Sequence, residues 1–76
     1  MAQTYNPVVA EVSFRDRNMA VFIYRRLQEE ARAQSTQAPY KINGPQIKVL
    51  MGGNLEKLVE RARMITRRAI SSIKTF

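Results

Sequence analysis

Residues 54–76, NLEKLVERARMITRRAISSIKTF, decide how this chain is read. Wound at 100° per residue, Leu55, Leu58, Val59, Ala62, Ile65, Thr66, Ala69, Ile70 and Ile73 fall inside one arc of roughly 140°, the apolar stripe of an amphipathic helix. Asn54 stands where an N-cap belongs, with Lys57 instead of the Glu or Gln of a full capping box at the third helical position. The spacing therefore predicts a helix over residues 54–73. Lys57, Arg61 and Arg68 line one flank of the stripe, Arg63, Arg67 and Lys74 line the other, and Met64 is left on the outward side. RARMITRRA, residues 61–69, thus reads as two basic rows beside an apolar stripe.

Working back toward the N-terminus, Gly52 and Gly53 close QIKVLM, residues 46–51, a short β-branched run that reads as a strand. Before it, QSTQAPYKINGP, residues 34–45, has the composition of a long loop. VVAEVSF, residues 8–14, sets Val8, Ala10, Val12 and Phe14 against Val9, Glu11 and Ser13, the alternation of a half-buried strand. RDRN follows, and Asp16 or Asn18 is placed to cap a helix whose apolar positions are Met19, Ala20, Ile23, Tyr24, Leu27 and Ala31. Val21 and Phe22 fall outside that stripe, which leaves a strand through VFIY as the alternative. Residues 1–7 form a polar lead.

Strand, helix, strand, helix makes residues 1–76 a single small two-layer α/β domain. Its first three elements form a crossover unit, which predicts parallel pairing of the two strands. Two strands do not make a stable sheet, and 76 residues bury little surface. The sheet is therefore expected to be completed by a homo-oligomer or by a partner.

Composition excludes several kinds of chemistry. The chain has no cysteine and no histidine, which removes disulfides, thiolate metal sites, and the commonest general base and metal ligand. Adjacent Glu29 and Glu30 diverge on a helix and do not form a catalytic carboxylate pair. Neither an enzyme nor a cofactor nor a metal is expected. Apolar runs are too short for a membrane span and MAQTYNPVV lacks the pattern of a signal peptide, which predicts a soluble, cytoplasmic protein.

Thirteen basic residues against six acidic ones give a net charge of +7. Residues 1–38 hold five basic and four acidic side chains and residues 39–76 hold eight and two, so the second half carries most of the excess. Such an excess points to a polyanionic partner, and arginine's planar fork suits phosphate oxygens. Lys57, Arg61, Arg63, Arg67, Arg68 and Lys74, with Lys48 on the preceding strand, form the candidate nucleic-acid surface. A solvated helix with basic residues complementing its C-terminal dipole is the plainer account. Arg15 and Arg17, where the first strand meets the first helix, are placed either to grip a phosphate backbone or simply to border an exposed turn. Gly52-Gly53 resembles glycine turns that approach phosphate but fits a tight turn better. Among the tyrosines, Tyr24 reads as core, whereas Tyr5 and especially Tyr40 are candidates for stacking on bases. The expected ligand is DNA or RNA, held by backbone phosphates with little base readout.

RDRN at the first strand–helix junction and IKVLMGGNLEKLVERARMITRR across the second strand and helix resemble the Alba-type family of small basic DNA- and RNA-binding proteins. The resemblance covers about 60 residues and implies that Arg15 and Arg17 form the basic pair after the first strand, with Gly52 or Gly53 in the turn before the second helix. NMAVFIY near residue 20, IKV at 47–49 and RMITRRAISSIK at 63–74 are similar to landmarks of the small phycobilisome linker domain. That second resemblance implies strands at residues 20–26 and 69–76, and a structural linker that docks onto acidic proteins.

Overall fold

The computed structural model describes residues 7–35, 38–65 and 67–76. The polar lead through residue 6, Tyr5 within it, residues 36 and 37 of the expected loop, and Thr66 lie outside the described residues. The elements are β1 (Val8–Phe14), α1 (Arg17–Ala33), β2 (Tyr40–Asn43), β3 (Gln46–Leu50), α2 (Leu55–Ile65) and β4 (Ile70–Thr75). The strands form one antiparallel sheet in the order β2-β3-β1-β4. Two interleaved crossovers, β1-α1-β2 and β3-α2-β4, share the hairpin β2-β3, which is the split βαβ arrangement.

The two-layer α/β class expected from the sequence is what the chain forms, with two strands more than the sequence suggested. The expected parallel pair is instead antiparallel, with Val12 opposite Ile47 and Glu11 opposite Lys48. The reason is β2. It is the crossover partner of β1, and the two-residue turn at Gly44-Pro45 then reverses the chain into β3, which inserts between them. Gly44 has φ +59, the positive value that a tight hairpin asks of its first turn residue.

The helix expected over 54–73 ends at Ile65, and β4 takes up residues 70–75. Ile70 and Ile73 are three residues apart, a helical spacing, yet both lie on the helix-facing side of a strand. Phe14 pairs with Ile70 and Ser13 with Ser72, so Ser71 is the extra residue of a bulge. The bulge resets the alternation and brings two residues spaced by three to one face. The strand implied at 69–76 by the linker resemblance coincides with β4, whereas the one implied at 20–26 does not, since those residues lie inside α1.

Both helices lie on one face of the sheet. Ala10, Val12 and Phe14 of β1, Ile47 and Val49 of β3 and Tyr40 of β2 meet Ala20, Ile23 and Leu27 of α1 and Leu58 and Ala62 of α2 in one core. Asp16 is the α1 cap, its Oδ1 accepting from the Asn18 N–H at 2.9 Å. Asn54 caps α2 as expected, its Oδ1 accepting from the Lys57 N–H at 3.0 Å. Among the described residues no helix is long and apolar enough to cross a membrane.

Candidate nucleic-acid interface

The alternation that buries one face of the sheet sets a second group of side chains on the other. Register carries a row straight across all four strands: Lys41 of β2 opposite Lys48 of β3, Lys48 opposite Glu11 of β1, and Glu11 opposite Lys74 of β4. The next row is Asn43, Gln46, Ser13 and Ser72, neutral and polar, with Gln46 Nε2 donating to Ser13 Oγ at 3.1 Å. Two lysines directly opposite each other weaken a sheet. The pair Lys41 and Lys48 is therefore a charge arrangement that folding does not favour.

Arg15 extends the basic character to the end of the sheet. Its N–H donates to the Ala69 carbonyl at 3.0 Å, which brings the β1–α1 junction beside the segment leading into β4. Arg15, Arg17, Arg67 and Arg68 are gathered there, and all four are exposed. Asp16 is the acidic residue among them, and its carboxylate is engaged in capping α1.

The helix layer is different. Lys57 Nζ lies 2.7 Å from Glu30 Oε1, and Arg61 grips Glu30 with both Nε, at 2.8 Å, and Nη2, at 2.9 Å. Hydrogen bonds from Arg61 first and Lys57 second hold the Glu30 carboxyl down to about 2 from an ordinary 4.5, and the same pairing raises the Arg61 guanidinium. Two of the expected phosphate ligands thus clamp α1 to α2. Arg63 is exposed on α2.

Seven basic and two acidic residues lie outside residues 18–65 or on β2 and β3, a net of +5, whereas residues 18–33 and 55–65 hold six basic and four acidic, a net of +2. The excess is concentrated on the open sheet face and its Arg15 end, and less on the helix whose arginines drew attention first. Lys41 was hidden in a segment read as loop, although the alternation in YKIN was the signal of a strand.

Tyr40 is corrected as a stacking residue. It is only 8% exposed, and its hydroxyl accepts from the Asn54 N–H at 2.9 Å and lies 3.4 Å from the Asn54 carbonyl. It belongs to the core and fixes the start of α2. Tyr24 is partly buried against the core and its hydroxyl accepts from Gln28 Nε2. On the open face of β1 and β3 stand Glu11, Ser13, Gln46 and Lys48, none of them aromatic. Phe76 is the exposed ring beside this face, with Lys74 Nζ 5.4 Å from its centroid.

The Gly52-Gly53 turn proves to be a packing device, since Val49, Leu50 and Pro39 leave no room for a Cβ at Gly53. Between the helices Phe22, Ile23, Arg26, Arg61, Met64 and Ile65 line a groove of about 270 Å³. No family model, no curated protein and no solved structure matches the chain.

Proposed function

We propose that this is a non-enzymatic nucleic-acid-binding protein that holds backbone phosphates on the open face of its sheet and at the Arg15 end. The observation that carries the reading is the row Lys41, Lys48, Glu11, Lys74, continued by Arg15, Arg17, Arg67 and Arg68. Like charges held in register at a cost to the sheet are accounted for by a polyanion that neutralises them. The middle of the face supplies lysines, serines and amides but no aromatic ring, so it favours phosphate over stacked bases.

Anisotropy of labelled duplex DNA and single-stranded RNA across a salt series tests this. Seven phosphate contacts correspond to a slope of log affinity against log salt of about −6 on duplex. Replacing Lys41, Lys48 and Lys74 together by Ala is expected to weaken binding more than tenfold at low salt and to reduce the slope by about 2 to 3. Replacing Arg25, Arg32 and Arg63 on the helices by Ala is expected to change affinity less than threefold. Absence of binding at low salt, or an equal loss in the helix variant, overturns the proposal.

The groove beside Phe22, Met64 and Ile65, with Arg26 in its lining, supports a second reading, a linker that docks onto an acidic protein. An apolar patch edged by arginine suits a protein partner better than a phosphate backbone. That reading predicts saturable one-to-one binding to an acidic protein and no dependence on polynucleotide length.

A further inference from the structure

The sheet has two edges, and they are built differently. β2 is four residues long, is preceded by Pro39, ends in the Gly44-Pro45 turn and shows exposed Lys41. Short length and a flanking proline are devices that keep an edge strand from pairing with another chain, and β4 has neither, although it carries a lysine of its own, Lys74, and the bulge at Ser71. β4 is six residues long and contains no proline, and every residue from Ser71 to Phe76 is exposed, Lys74 alone among them being charged. Ile73 is 44% exposed, although Val12, its register partner on β1, is fully buried. An isoleucine on the helix side of the sheet is left half in water because, among the described residues, no strand lies beyond β4.

We infer that β4 is the contact for a second copy of this chain, two β4 strands pairing antiparallel about a two-fold axis at Ile73 to join two four-stranded sheets into one of eight. The register follows from the side chains. In one continuous sheet, directly opposed residues share a face, so a two-fold axis normal to the sheet passes through a residue. Centred on Ile73, the two half-exposed isoleucines lie side by side on the helix face, and each Lys74 stands opposite the partner's Ser72 on the open face. Centred on Lys74, two like charges would be opposed, which is unfavourable. Centred on Ser72, Lys74 of the open face would meet Ile70, which the bulge at Ser71 has turned to the helix face. Ile73 is the one centre of the three that satisfies both faces.

Each copy carries +7, so repulsion opposes association at low ionic strength and screening favours it. This salt dependence is opposite in sign to that of phosphate binding, so the two proposals fail separately. The dimer brings two lysine rows into one surface but stands without any nucleic acid.

Sedimentation equilibrium of the full chain in low and high salt, with no nucleic acid present, provides the test. The average mass is expected to rise toward twice that of the chain as concentration increases, at lower concentration in high salt. Ile73→Lys is expected to remain monomeric with an unchanged circular dichroism spectrum. Because the chain has no cysteine, Ile73→Cys reports its own contact: mild oxidation is expected to give covalent dimer, while Lys41→Cys on the other edge gives at least fivefold less. A wild-type chain that stays monomeric at millimolar concentration in both salts, or equal cross-linking of the two cysteine variants, overturns the inference.

Discussion

Gly53 shows how closely the turn before α2 is packed. A Cβ placed there would sit 2.7 Å from Val49 Cγ1 and 3.0 Å from the carbonyl oxygens of Leu50 and Pro39. Val49 is fully buried in the core and its side chain has little room to yield, and the other two atoms are backbone. Gly53→Ala is therefore expected to destabilise the fold by about 1 to 3 kcal/mol, the usual cost of forcing extra volume into a packed site. Urea unfolding followed by circular dichroism checks this, and an unchanged midpoint would show that the turn can open. One residue further on, the Asn54 N–H is held by the Tyr40 hydroxyl while the Asn54 side chain caps the helix. A single loop residue thus ties β2 to the first turn of α2, which explains why a tyrosine that looked available for stacking is consumed by the fold. Composition could identify Tyr40 as aromatic and near a turn. It could not identify its partner, which lies fourteen residues away in sequence.

Between elements, the Glu30 clamp is the clearest electrostatic contact. Lys57 and Arg61, one turn apart on α2, converge on one carboxylate of α1. Because folding lowers the Glu30 carboxyl from 4.5 to about 2, its contribution is present above the unfolded value and is lost as pH falls from there toward 2. The pair is partly open to water, and its worth at neutral pH is about 0.5 to 1 kcal/mol. Wild type is expected to exceed Glu30→Gln by that margin near neutral pH, with the difference shrinking toward zero at about pH 2. Thermal unfolding of both proteins across that range measures it, and a difference independent of pH would remove the clamp from the account. The elements themselves were legible to different degrees. β1, α1 with its Asp16 cap, β3 and the Asn54 start of α2 follow from local spacing and capping, because each is defined by residues adjacent in the chain. β4 does not, because Ile70 and Ile73 carry a helical interval that only a bulge against β1 converts to a strand. β2 does not, because four residues among proline, glycine and asparagine become a strand only through pairing with β3. Both missed strands are edges, where non-local pairing overrides local preference. The candidate site divides in the same way. Arg15, Arg17, Lys48 and Lys74 could be named from residue type and position, whereas the capture of Lys57 and Arg61 by Glu30 spans some thirty residues and leaves no local trace.

Across the whole molecule the distribution of charge matters more than its total. The acidic residues concentrate on the helices, where Glu30 pairs with two cations, while the sheet face and the Arg15 end carry the larger excess. Such a distribution costs stability, since repulsion between Lys41 and Lys48, opposed in register, is offset in that row by the single carboxylate of Glu11. Neutralising the pair as Lys41→Gln with Lys48→Gln is accordingly expected to stabilise the fold by about 0.3 to 1 kcal/mol in low salt, the scale of cross-strand charge pairs. The gain should fade in about 1 M salt, where the screening length is near 3 Å. Under the nucleic-acid reading the same double variant binds polynucleotide more weakly, so stability and affinity move in opposite directions through the same two side chains. Differential scanning calorimetry at low and high salt, run beside the binding titration, measures both. A double variant less stable than wild type in low salt would mean that the lysine stems serve packing on the sheet more than their charges oppose it. The row would then be a structural feature of the face, and the case for a phosphate surface would rest on the Arg15 end alone.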